Sequence, residues 1–250
     1  MLRPNRNPLS ADVASELRDA LRRRQKELPA RWLAAMDAAS LRDGASALPS
    51  HPHEATVKEL GLAILRDVLP DARPRGVVCV RASGSAANLA LADALCQRGS
   101  VTSIAAAELD SKLAVEMLER VASRGICESS AAVACDCTIA LPLPDDFPRP
   151  RVYLCLGNVL GCTTTVGAVR LLRVVRTTMR PGDSVVLGLE AQPGNSVRPL
   201  PDHQTDAVAS SCTFDRNRVS AMMGGVGLSL CQWATDAEAR FVVAVATPAS

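Results

Sequence analysis

Stretches of uninterrupted apolar residues alternate along this chain with stretches whose apolar positions recur every three or four residues. Val77–Val80 holds four residues without a charge and reads as a buried strand. Residues 86–96 follow with Leu89, Leu91 and Leu95 at helical spacing, and residues 101–107 are apolar again, closed by Glu108 and Asp110. A capped helix over 111–123, a small strand over 131–134 and a loop rich in proline over 142–150 come next. Residues 152–156 read as a strand, 164–179 as a helix with Val169, Leu172, Val175 and Met179 on one stripe, and 184–189 as a strand ending in Glu190. From Gln192 to Arg218 the period is lost, which reads as an excursion over the sheet. Two final strands, 227–233 and 240–246, form an antiparallel hairpin. Upstream, one helix is predicted from Ser10 and another over 54–69. Strands and helices alternating in this way predict an α/β fold, a mostly parallel sheet with helices on both faces.

The small-residue stretch Ser83-Gly84-Ser85 lies between the first strand and the helix that follows it. Serine suits an N-cap, and glycine lets the backbone come close to a ligand. A strand, such a loop, a helix and a second strand ending in acid make the first half of a nucleotide-binding unit. Ligands of open parallel sheets bind beyond the carboxyl ends of the strands. Four such ends are polar here: Ser83-Gly84-Ser85, Glu108, Asp136, and Gly157-Asn158 with Gly161-Cys162. A carboxylate after the second strand can accept hydrogen bonds from two ribose hydroxyls, and one after the third can meet an adenine amino group. Each residue also has a plainer role, Glu108 as a helix cap, Asp136 as a solvated loop acid and the small residues as a turn. Their alignment at successive strand ends favours the ligand.

Composition narrows the rest. With 250 residues, 48% hydrophobic and 22% charged, the chain can bury a sizeable core. A formal charge of +2 gives no pull toward nucleic acid or a membrane, and six aromatic residues are too few for base-stacking platforms. The charged run Arg22–Glu27 reads as a solvated face rather than a phosphate site. No apolar run is long enough to span a membrane, and no leader-like apolar segment stands near the N-terminus. Nine cysteines are scattered mainly through apolar runs; Cys135-Asp136-Cys137 is poor zinc spacing and His51-Pro52-His53 reads as a polar turn, so no metal is expected. A cytoplasmic protein with reduced thiols is the expectation.

Four segments carry a more specific likeness: Gln25–Trp32, Leu156–Gly161, Met179–Asp183 with Leu187-Gly188, and Phe214–Arg218. In wording and order the chain resembles the S-adenosylmethionine-dependent L-histidine N-alpha-methyltransferase family of ergothioneine biosynthesis, over roughly residues 10–247. The resemblance implies a class I methyltransferase (Rossmann-like) sheet and S-adenosylmethionine as cofactor. It also implies a helical cap from residues 1–70, a core over 71–191, a cap excursion over 192–226 and a closing hairpin over 227–250. It places Ser83, Gly84, Ser85, Glu108, Asp136 and Gly157 at the cofactor and Asn158, Gly161 and Cys162 at a small-molecule substrate. The departures fall on functional positions. Arg81 stands where the family's first loop glycine is expected, Cys162-Thr163 replaces an Asn-Phe pair, and the tyrosines expected after Trp32 and near Leu48-Pro49 are absent. An apolar Val242 or a neighbour replaces an acidic substrate contact. Polar groups of histidine would be left unpaired at about 1–3 kcal/mol each. The implied activity is N-methylation of an amine or amino-acid-like acceptor other than histidine. Two further readings stay open: a catalytically degenerate homologue serving as a protein partner or regulatory subunit, or in a homo-oligomer, and a nucleoside sensor without chemistry.

Overall fold

The computed structural model describes residues 59–64, 75–81, 86–97, 101–123, 127–157, 159–161, 163, 165–191, 197–198, 209–210, 214–237 and 239–249. The helix expected from Ser10, the His51–His53 turn and most of the 54–69 helix lie outside them, although residues 59–64 are helical.

The first half of the chain builds three parallel strands and two helices: β1 (Gly76–Val80), α1 (Ala86–Gln97), β2 (Ser103–Glu108), α2 (Ser111–Ala122) and β3 (Ser129–Ala134). After the proline-rich loop come β4 (Arg151–Cys155), α3 (Thr165–Thr178) and β5 (Ser184–Glu190). Two-residue strands β6 (Val197–Arg198) and β7 (Ala209–Ser210) pair with each other. A helix α4 (Arg216–Gly224) then leads to β8 (Leu228–Thr235) and β9 (Phe241–Pro248).

The main sheet has the order β3-β2-β1-β4-β5-β9-β8. Neighbours are parallel from β3 through β5, while β9 runs antiparallel to both β5 and β8. This is the sheet that the likeness implied, hairpin included. Side chains alternate across it, so Val78, Tyr153, Cys155, Val185 and Leu187 join α3 and α4 on one face. Val77, Cys79, Ile104, Val152 and Leu154 meet α1 and α2 on the other. Strands β1, β2 and β4 are buried on both faces, which is why their interiors are apolar without alternation and their polar residues stand at the ends. Burial of each Val or Leu side chain contributes roughly 1.5–3 kcal/mol.

One polar cluster fixes the far end of the sheet from the candidate site. The buried carboxylate of Asp183 pairs with the Arg149 guanidinium and accepts from Arg151 N at 2.7 Å and Arg180 N at 2.9 Å. Arg151 itself is buried, donates to Phe147 O at 2.5 Å and lies over the Phe147 ring, 5.2 Å from its centroid. With Nε and Nη2 engaged by the Phe147 and Pro148 carbonyls, a buried arginine is tolerated at the start of β4.

Helix α4 is a departure from expectation. Residues 216–218 fell inside the stretch read as lacking any period, because only Val219 and Met223 of this helix are buried. Two apolar contacts onto the sheet and an N-cap suffice: Asp215 accepts from Arg218 N at 2.7 Å.

Candidate functional site

The order of strands turns at β1 and β4: β2 and β3 extend one side of the sheet and β5 with the hairpin the other. A crevice for a ligand opens at the carboxyl ends of such a pair. Beyond Val80 the pairing continues for one residue, since Arg81 N donates to Ala107 O at 2.8 Å. Arg81 has φ +51°, in the left-handed region that glycine occupies without strain. The position read from sequence as a displaced glycine is therefore one whose backbone suits glycine. Ser83, Gly84 and Ser85 lie outside the described residues.

Glu108 ends β2 and is 2% exposed. The plainer role for it, capping the next helix, is filled by Asp110, whose side chain accepts from Lys112 N at 2.9 Å. Glu108 is thus a carboxylate held inside the fold at a strand end, beside β1. Its main-chain oxygen accepts from Cys135 N at 2.7 Å, which ties the loop after β3 to the end of β2.

In that loop Asp136 serves locally with one oxygen. Oδ1 accepts from Thr138 N at 2.9 Å and Thr138 Oγ1 at 2.7 Å, while the Asp136 carbonyl accepts from Ile139 N and Ala140 N. This closes a tight turn. Oδ2 of this half-buried residue has no partner among the described residues. Cys135 and Cys137 flank it with their Sγ atoms 3.7 Å apart. The Cys137 thiol, by donating to Cys135, holds the Cys135 thiol below its ordinary value against the opposing effect of burial. The same hydrogen bond, and then burial, push the Cys137 thiol upward.

At the end of β4, Leu156 is buried and Gly157 turns the chain at φ +76°, a conformation that explains glycine at this point. Gly161 is buried, and Asn158 and Cys162 lie outside the described residues. Phe214 N donates to Glu190 O at 3.2 Å at the end of β5. The Arg218 guanidinium lies over the Phe214 ring, 5.3 Å from its centroid, and donates through Nη2 to Thr165 Oγ1 at 2.7 Å, at the start of α3. This link between α4 and α3 was not read from sequence as part of a site; the Phe214–Arg218 wording was its only signal.

The structure thus brings Arg81, Glu108, Asp136 and Gly157 to one rim of the sheet. Among the described residues no group of three or more His, Cys, Asp or Glu could hold a metal ion, and no helix is long and apolar enough to cross a membrane.

No protein-family model and no curated protein matches the sequence. Solved structures do match the fold. The 1,6-didemethyltoxoflavin N1-methyltransferase of Burkholderia thailandensis, with 1,6-didemethyltoxoflavin and S-adenosylhomocysteine bound, superposes with a TM-score of 0.61 at 16% identity, over 87% of this chain and 88% of that one. An S-adenosylmethionine-dependent methyltransferase from Clostridium acetobutylicum gives 0.57 at 8% identity, over 77% and 92%. Mitomycin 7-O-methyltransferase gives 0.63 at 16% identity, over 95% and 67%. Likeness at these identities is a likeness of fold, and the fold is that of the class I methyltransferases.

Proposed function

We propose that this protein is an S-adenosylmethionine-dependent methyltransferase acting on a small molecule, with an amine other than histidine as acceptor. The observation that carries the reading is Glu108, a carboxylate buried at the carboxyl end of β2 beside the turn in strand order. The helix cap it could have provided is supplied by Asp110, and an acid after the second strand of such a unit is placed to meet a ribose. The donor set suits a nucleoside carrying an amino acid. Glu108 would accept hydrogen bonds from two vicinal ribose hydroxyls, and Asp136 Oδ2 one from the adenine amino group. Ser83, Gly84, Ser85 and Gly157 would complete the cofactor side. Arg81 brings a cation to the end of β1, the sign that suits an amino-acid carboxylate. Bound there, S-adenosylmethionine supplies an activated methyl group on a sulfonium. Asn158, Gly161 and Cys162 would hold the acceptor, and residues 1–70 and 192–226 would cap it. For methyl transfer the protein contributes chiefly by holding the acceptor nitrogen in line and excluding water. Bound cofactor fits the fold neighbours, one of which carries S-adenosylhomocysteine. The likeness to the histidine N-alpha-methyltransferases rests on the four short segments and supplies no acceptor.

A second reading is favoured by Arg81. A non-glycine residue at φ +51° in the first loop is what a homologue released from cofactor binding, and kept as a protein partner or regulatory subunit, would tolerate.

Isothermal titration calorimetry with S-adenosylhomocysteine separates the two. We expect binding, weakened at least about tenfold by Glu108→Gln and further by Glu108→Ala, since a hydrogen bond to a charged group is worth roughly 1.5–3 kcal/mol. No heat at millimolar ligand would sink the methyltransferase reading in favour of the partner. Unchanged affinity in both variants would refute the role of Glu108.

A further inference from the structure

Cys135 and Cys137 stand apart from the other described thiols. Cys79 and Cys155 are fully buried in separate halves of the core, and Cys231 is exposed next to Thr247 Oγ1. Among the described residues, Cys135 and Cys137 bring their sulfurs into contact, 3.7 Å apart. They differ in access: Cys135 is half-buried, whereas Cys137 is buried with Sγ 4.0 Å from Ala107 O. A reagent therefore meets Cys135 first and Cys137 stands behind it. A disulfide needs about 2.05 Å between sulfurs, so closure requires an approach of roughly 1.7 Å. The residue between them is Asp136.

We propose that Cys135 and Cys137 form a reversible dithiol–disulfide pair whose closure displaces Asp136 and weakens nucleoside binding. The second half rests on the cofactor reading given above; the first does not. The oxidant is a small disulfide of the glutathione class. Cys135, as thiolate, attacks one sulfur of oxidised glutathione; that S–S bond breaks and one glutathione leaves as thiolate. Cys137 then gives up its proton and attacks the Cys135 sulfur, and the second glutathione leaves. Two cysteine thiols lose two electrons and two protons, and one glutathione disulfide becomes two glutathione thiols. The hydrogen bond from Cys137 keeps the accessible sulfur, Cys135, the more acidic of the two, which matches it to the attacking role.

Closure acts on the site through contacts already in place. Asp136 holds its turn by two hydrogen bonds from Thr138, and the adjacent Cys135 N bonds to Glu108 O. Drawing the flanking side chains together turns the peptide planes on both sides of Asp136, so its carboxylate leaves the position set by Thr138. Linkage makes the effect reciprocal: a nucleoside that binds the dithiol more tightly disfavours oxidation by the same factor.

The test equilibrates the full chain with oxidised glutathione, quenches with an alkylating agent and maps the linkage by mass. The expected product is a Cys135–Cys137 disulfide, reversed by dithiothreitol, with S-adenosylhomocysteine bound at least tenfold more weakly than by the reduced chain. Cys135→Ser should abolish that loss, and Cys137→Ala, a second variant in case the first fails to fold, should leave a mixed disulfide at Cys135. A bridge from either residue to Cys127, or a glutathione adduct on the unaltered chain that never resolves, overturns the pair. A Cys135–Cys137 disulfide with unchanged affinity overturns the coupling. If the reduced chain binds no S-adenosylhomocysteine, the cofactor reading fails while mapping still decides the pair. Amide exchange at Thr138 and Ala140 then reads the displacement, and unaltered exchange on oxidation overturns it.

Discussion

Arg81 carries two opposing consequences of a single residue. Its guanidinium can serve a carboxylate, but its backbone at φ +51° is costly for any residue with a Cβ, by roughly 1–2 kcal/mol. The comparison that isolates the backbone is between two truncations, Arg81→Gly and Arg81→Ala, because both remove the same side-chain interactions. Denaturant unfolding should find the glycine variant the more stable by about 1 kcal/mol, after allowance for the freedom glycine gains in the unfolded chain. Equal stabilities would mean that the loop relaxes to accept the side chain. Gly157, at φ +76°, shows the same demand on the β4 side already met by glycine.

Among the strands, β1 is closely constrained where it begins. A Cβ at Gly76 would lie 2.6 Å from Pro148 O and 2.7 Å from Phe147 Cε1, both in the loop that crosses the start of the strand. Gly76→Ala should therefore destabilise by about 1–3 kcal/mol through overpacking, read as a lower urea midpoint with an unchanged slope. Elements like β1, β2 and β4 were legible in the sequence because burial on both faces confines charge to their ends, at Arg151 and Glu108. Helix α4 was not, because two buried residues, Val219 and Met223, are too few to produce a period. At the site, the sequence placed Glu108, Asp136 and Gly157 at strand ends, since loop polarity after an apolar run is a local signal. It left open whether Glu108 caps a helix; that is settled by which of two nearby acids reaches Lys112 N. The left-handed turn at Arg81 and the contact between Cys135 and Cys137 depend on backbone direction, which residue identity does not report.

For the molecule as a whole, its buried thiols set a limit on alkaline conditions. Burial pushes the Cys155 thiol from its ordinary 9.0 up to about 12, and Cys79 also upward, with Cys96 and Cys155 adding to burial there. Both folded thiols keep a proton that the unfolded chain releases above pH 9. Their contribution is full below that pH and is lost as pH rises toward the folded value. Between pH 8 and pH 10 the Cys155 thiol alone should cost on the order of 1 kcal/mol of stability. Urea unfolding at the two pH values checks this, and Cys155→Ala should show a smaller fall by that amount; an identical fall would contradict it.

The hairpin also orders events during synthesis. β9 follows β5 and β8 in chain order, yet lies between them and pairs with both. Until residues 241–248 have left the ribosome, β5 is a sheet edge with Val185, Val186, Leu187 and Leu189 beside unpaired backbone groups. A nascent chain of this topology keeps that adhesive edge until β9 arrives, so translation speed through residues 241–248 governs how long it stays open to other chains.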